Sequence, residues 1–163
     1  MSSKHQNLSS KKIVSIENAD YFRFGIVVAE WNQRITFAMA DACKATLINN
    51  GIDANHIKKM IVPGSFELIS GAKIFIEQHQ FDAIICIGCV IRGDTPHFDY
   101  VCQGVTQGIA HLNASQSVPV IFGVLTVDNE QQALDRCGGI HGNKGDEAAF
   151  TALKMAELKK LNR

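Results

Sequence analysis

Three runs of this chain carry almost no polar side chain: residues 24–29 (FGIVVA), 82–91 (DAIICIGCVI) and 118–127 (VPVIFGVLTV). A strand with one face in water alternates apolar and polar residues, whereas a strand covered on both faces does not. These runs are therefore read as strands buried on both sides. A fourth strand is placed at 56–62, ended by Pro63-Gly64. Segments of helical spacing lie between and after them. At 35–50 the stripe is Ile35, Met39, Ala42 and Thr46, with Gly51 as the stop. At 66–79 it is Leu68, Ala72, Phe75 and Ile76, and at 97–113 it is Phe98, Val101, Val105, Ile109 and Leu112. A short helix is expected at 129–137, capped by Asp128, and a last one at 146–161. Apolar strands alternating with helices imply a parallel sheet covered on both faces. Right-handed crossovers then give an α/β, flavodoxin-like three-layer sandwich with a four-stranded parallel sheet.

Charge narrows the partners. Lys+Arg and Asp+Glu number 16 each, and only 20% of residues are charged. A balanced chain has no electrostatic reason to seek nucleic acid or an anionic membrane. The longest apolar stretch, 83–91, stops at Arg92 and is too short for a bilayer span. Residues 1–12 are polar and lack the apolar segment of a signal peptide, so they read as a flexible tail before a single domain at 13–163. The expected compartment is the cytoplasm. The five cysteines agree with it. Cys86 and Cys89 form a CxxC, but residues three apart on a strand face opposite sides, and a redox pair normally needs a helix N-terminus. They are read as core thiols.

In open parallel sheets ligands bind outside the C-terminal ends of the strands, so those ends are where chemistry is sought. After the first strand comes Trp31, the single tryptophan, either a stacking platform for a flat heterocycle or a cap on the core. After the second come Ser65, Phe66 and Glu67. Ser65 suits a helix N-cap and Glu67 its first turn, while a carboxylate and exposed amides would also suit a polyhydroxyl ligand. After the third comes Arg92-Gly93-Asp94-Thr95-Pro96-His97. A glycine-containing turn that feeds a helix N-terminus favours an anion, Thr95 adds a hydroxyl, and His97 is the one histidine expected at the mouth. No second His, Cys or carboxylate has metal-ligand spacing around it. Phe122 lies on the fourth strand. Arg136 and the turn containing Lys144 supply cations suited to a phosphate, although either alone is commonly a solvated surface charge.

The segment GCVIRGDTPHFDYV at 88–101, with FGIVVAEWN, VPGSFELISGAK, PVIFGVLT and the spacing from Arg136 to GNKG, resembles the 6,7-dimethyl-8-ribityllumazine synthase family. The blocks occur in order and span residues 22–161. The resemblance implies condensation of 5-amino-6-(D-ribitylamino)uracil with 3,4-dihydroxy-2-butanone 4-phosphate to 6,7-dimethyl-8-ribityllumazine, phosphate and water, with no metal and no cofactor. It implies that Trp31 stacks on the pyrimidine and that Ser65, Phe66 and Glu67 meet the ribityl chain and ring substituents. Val90 and Ile91 would supply backbone contacts. Gly93, Asp94 and Thr95 would cradle the phosphate. Phe122 and Arg136 would come from a neighbouring subunit, His97 would move protons, and Lys144 would lie nearby.

The same resemblance implies a homopentamer. The short glycine-rich loop at 138–145 favours an icosahedral shell of such pentamers, and 13–16 (IVSI) would pair with a neighbour's sheet edge. The resemblance also implies riboflavin synthase as a further partner. Two features depart from the pattern. Trp31 stands where many members carry Phe, and Asp94 puts a negative charge beside the phosphate. The rival readings are a flavin-binding or storage module and a structural shell protein on the same fold.

Overall fold

The computed structural model of the chain describes residues 19–78 and 80–162. The expected tail at 1–12 and the pairing segment at 13–16 lie outside them, as does His79. Strands β1 (Phe24–Ala29), β2 (Ile57–Val62), β3 (Ala83–Ile91) and β4 (Val120–Val127) form one sheet in the order β2-β1-β3-β4. All three pairings are parallel. Every residue of β1 is buried, and so are the first seven of β3. This is the flavodoxin-like α/β sandwich that the unbroken apolar runs demanded.

Helices α1 (Gln33–Asn49) and α5 (Lys144–Leu161) cover one face, and α2 (Leu68–Glu77) and α3 (His97–Ser115) cover the other. The first face packs Ile35, Met39, Cys43 and Leu47 of α1 against Ala149, Ala152 and Leu153 of α5 and the near side of the strands. Helix α5 lies so close to α1 that a side chain at Gly145 would collide with the Met39 carbonyl. The second face packs Leu68, Ala72 and Phe75 of α2 and Val105, Ile109 and Leu112 of α3. Cys86 belongs to this face and Cys89 to the other, so the CxxC straddles the sheet.

Several local expectations shift. The buried stripe of α1 runs through Cys43 and Leu47 rather than Ala42 and Thr46. Thr46 is half-buried and donates a 2.7 Å hydrogen bond to Asp146 of α5. Helix α1 starts after Asn32, which makes no side-chain cap bond. Burying Ile35, Met39 and Leu47 is worth about 1.5–3 kcal/mol each, more than the ~1 kcal/mol of a missing cap. The helix ends as expected at Gly51, whose φ of 91° suits glycine. There the amides of Gly51 and Ile52 bond back to the carbonyls of Ile48 and Leu47.

Ser65 is not an N-cap. Residues 65–67 form a turn, and α2 begins at Leu68 with Glu67 as its cap residue, which makes no side-chain cap bond. The cap of the short helix α4 (Glu130–Leu134) is Asn129, whose side chain accepts from the Gln132 amide at 3.0 Å. Gln132 in turn accepts from the Asp128 amide. Residues expected to be a plain glycine-rich loop form a two-stranded hairpin, β5 (Cys137–Gly139) and β6 (Gly142–Asn143). Asn143 caps α5 through its bond to the Gly145 amide, so that helix begins two residues early. Among the described residues no helix is long and apolar enough to cross a membrane.

Candidate active site

The connection from β1 runs to one side of the sheet, and the later connections run to the other. The crevice this leaves lies above the C-terminal ends of β1, β2 and β3. A cleft of about 690 Å³ opens there. Trp31 and Asn32 line it from the end of β1, Gly64, Ser65, Phe66 and Glu67 from the turn after β2, and Cys89, Val90 and Ile91 from β3 itself. Gly93, Thr95 and His97 follow, with Phe98, Tyr100 and Val101 from the first turns of α3. Nine of the thirteen residues expected at the site therefore converge, from three loops and one strand. Asp94, Phe122, Arg136 and Lys144 do not line this cleft.

Local chain geometry explains the placement. The amides of Glu30 and Trp31 bond to the carbonyls of Val62 and Pro63, extending the β1–β2 pairing past the strands. Asn32 then takes a left-handed conformation, with φ 61° and ψ 41°. Asparagine tolerates that region better than most residues. Its side-chain amide donates to the Cys89 carbonyl at 3.0 Å, tying the end of β1 to β3. The indole beside it is left 72% exposed, so Trp31 does not cap the core. Its flat face is available to a ring.

The 64–67 turn is held by two glycines on facing elements. A Cβ at Gly88 of β3 would come 2.7 Å from Ser65 Oγ, and one at Gly104 of α3 would come 2.6 Å from the Phe66 ring. Ser65 is buried, and among the described residues its hydroxyl has no hydrogen-bond partner. A buried hydroxyl without a partner costs about 1–3 kcal/mol, a penalty that a ligand or water could relieve.

The turn after β3 is open. Residues 92–97 are all exposed, and a Cβ at Gly93 would meet nothing within 4 Å. Arg92 anchors it. Its Nε lies 3.1 Å from Asp128 and its Nη1 3.3 Å from Asp99, while the guanidinium sits 4.1 Å from the centre of the Phe98 ring. The hydrogen bond to Asp128, helped by the charge of Asp99, holds that guanidinium protonated beyond its ordinary range. The stripe of α3 changes role along its length. Phe98 and Val101 at the top are half-buried and face the cleft, whereas Val105, Ile109 and Leu112 enter the core.

The remaining candidates lie elsewhere. Phe122 is 37% exposed in the middle of β4, the edge strand. Arg136 is exposed just before the hairpin, and its carbonyl accepts from the Lys144 amide at 2.8 Å. Lys144 is paired with Glu147 at 2.9 Å and largely covered. Burial pushes the thiols of Cys86 and Cys89 up to about 12, so neither is a nucleophile near neutrality. Six lining residues were not among the expected site residues: Asn32, Gly64, Cys89, Phe98, Tyr100 and Val101. Asn32 carried a usable signal, since Asn in the turn that follows a buried strand is a candidate for a left-handed conformation. Tyr100 lies three residues after His97, hence on the same helix face.

Comparison with known proteins agrees with this geometry. The sequence model described as 6,7-dimethyl-8-ribityllumazine synthase matches residues 21–160. The protein of that name from Porphyromonas gingivalis is 52% identical over 161 residues, covering 99% of this chain and 100% of its own length. The one from Parabacteroides distasonis is 53% identical over 158 residues, 97% of this chain and 99% of its own. That from Bacteroides fragilis is 56% identical over 136 residues, 83% and 95%. With the fold, the cleft and the near full-length identity in accord, the chain belongs to the 6,7-dimethyl-8-ribityllumazine synthase family.

Proposed function

We propose that this enzyme condenses 5-amino-6-(D-ribitylamino)uracil with 3,4-dihydroxy-2-butanone 4-phosphate, giving 6,7-dimethyl-8-ribityllumazine, phosphate and water. The observation that carries the residue assignments is the convergence of an exposed indole, the Phe66–Glu67 turn, the Gly93–Thr95 turn and His97 on one cleft. The pyrimidine stacks on Trp31, with Phe66 beside it. Glu67, Ser65 and the backbone at Val90 and Ile91 receive the ribityl hydroxyls and ring polar groups. The phosphate sits against Gly93, Asp94 and Thr95 at the start of α3, where amides and helix dipole favour an anion. Asp94 serves through its amide, because its carboxylate would repel the phosphate and the exposed side chain is free to stay in solvent.

In the reaction the pyrimidine amine adds to the ketone and water leaves to give an imine. Phosphate is then eliminated, and the ring closes with loss of a second water. Each step moves a proton. An imidazole, whose ordinary pKa lies near neutrality, suits that task, and His97 stands at the cleft. Holding two reactive partners together supplies much of the remaining rate.

The cations for the phosphate come from a second subunit. Arg136 is exposed, outside its own cleft, and Phe122 is exposed on an edge strand, so both are open to a neighbour. Lys144 approaches the same junction with its charge partly answered by Glu147. The functional unit is a homopentamer, and the compact hairpin at 137–143 favours closure into an icosahedral shell. The domain occupies 13–163 behind a tail at 1–12, the compartment is the cytoplasm, and riboflavin synthase, which consumes the lumazine, is a partner.

Mixing the two substrates with the protein should raise lumazine fluorescence above the uncatalysed rate. Unchanged fluorescence alongside tight riboflavin binding would replace catalysis by flavin storage. Sedimentation or light scattering tests the assembly. A single species of pentamer mass at all concentrations would remove the shell and keep the shared site, and a fully active monomer would remove both.

A further inference from the structure

The turn that would receive the phosphate has no packing of its own. Gly93, Asp94, Thr95, Pro96 and His97 are exposed, and among the described residues the side chains of Thr95 and His97 make no hydrogen bond or ion pair. Two backbone bonds, from the amides of Asp99 and Tyr100 to the Pro96 carbonyl, close its far end. Its near end is Arg92, whose amide bonds to the Val127 carbonyl at 2.9 Å. The Arg92 side chain then spans the turn. One nitrogen reaches Asp99 in the first turn of α3, another reaches Asp128 at the end of β4, and the planar group lies over Phe98. The guanidinium therefore joins the start of the turn, its end and the neighbouring strand.

We infer that Arg92 is a positioning residue for the phosphate-bearing substrate: it sets the shape of the 93–97 turn through Asp99, Asp128 and Phe98 and does not itself grip the phosphate. A single exposed ion pair holds little. Here two share one rigid fork that also stacks on a ring, and the ring belongs to the cleft wall. Because both nitrogens named are already engaged by carboxylates, the charge is answered within the clamp. Lysine cannot reproduce this arrangement, since an ammonium is a point charge without the planar fork.

The inference rests on the function proposed above, which wild-type turnover of the two substrates tests separately. The comparison uses Arg92→Lys, Arg92→Met, Asp128→Asn and the double variant Arg92→Met with Asp128→Asn, all in the full chain. KM is measured for each substrate, with kcat and melting temperature. Both Arg92 variants should raise KM for the butanone phosphate by about tenfold or more, as expected when a binding loop shifts by a fraction of an ångström to an ångström. KM for the pyrimidine should barely move. Asp128→Asn should raise the same KM, and the double variant should be no worse than Arg92→Met alone, because both break one clamp. A lysine that restores the KM would overturn the inference, as would an Asp128→Asn that lowers it by freeing the arginine for phosphate. Variants that merely melt earlier, with both KM values unchanged, would reduce Arg92 to a structural role. Absent wild-type turnover would overturn the proposed function itself.

Discussion

The Phe66 ring lies where a side chain on Gly104 would have to be, since a Cβ there would come 2.6 Å from Cε2 of the ring. Phe66 is 54% exposed and can swing away, whereas the same addition at Gly88 would press on buried Ser65 and Leu68. Gly104→Ala should therefore leave stability nearly unchanged, the better helix propensity of alanine, about 1 kcal/mol, offsetting the displaced ring. Affinity for the pyrimidine should fall by about 1 kcal/mol as an aromatic contact is lost. Adding Phe66→Leu should change that affinity no further, because the ring is already out of place. Paired KM and melting measurements on the three proteins check this.

His97→Ala should lower kcat by about 10²-fold or somewhat less, because water and substrate groups also carry protons, with KM for the phosphate substrate little altered. Arg136→Ala should weaken the butanone phosphate by roughly 1.5–3 kcal/mol and the pyrimidine far less. Equal loss for both ligands would dismiss the phosphate role. Because Arg136 stands outside its own cleft, the two impaired variants should rescue each other. Equal amounts, unfolded and reassembled together, should regain roughly a quarter of wild-type activity, the share of junctions at which both intact residues meet. No recovery in the mixture would place both residues in one subunit's site.

Trp31 is the only tryptophan and is 72% exposed on the cleft. Its fluorescence should be quenched by riboflavin or by the lumazine product, and Trp31→Ala should weaken such ligands by about 1 kcal/mol or more. Unchanged emission at saturating ligand would remove the indole from the site.

What could be read without coordinates followed from burial. The runs 24–29 and 83–91 are so uniformly apolar that only a parallel sheet covered on both sides accommodates them, and strand ends then located the cleft. Features decided by one side chain's choice of partner were harder. Asp128 and Asn129 are both good caps, and it was the Asn129 side chain that met the Gln132 amide. Ser65 looks like a cap, but its hydroxyl is taken inward by the space above Gly88. The hairpin at 137–143 has no alternation to betray it, because glycine fills most of its two short strands. The clamp at Arg92 joins residues up to 36 positions apart, a separation that no local pattern reports.

Alkaline conditions should destabilise the protein through its buried thiols. Cys86 and Cys89 are pushed from 9.0 to about 12, chiefly by burial, and Cys43 is raised further in the same direction. The unfolded chain releases these protons first, so it binds fewer of them than the native state and stability falls as pH rises. Stability should thus be full below about pH 9 and should decline toward about pH 12. The urea midpoint followed across that window should drop, and Cys86→Ala should make the drop shallower. An equal slope in that variant would exclude a contribution from this thiol.

The separation of Arg136 from the cleft of its own chain has a consequence in mass action. On the shared-site proposal, the phosphate substrate is held well only where two subunits meet. A ligand that binds the assembled state alone must drive assembly, by RT ln(1 + [L]/Kd) for each junction it fills. The substrate would then act as an assembly effector. Dilution would behave as an inhibitor that added substrate competes away, giving this enzyme a response to its own concentration without any dedicated regulatory site.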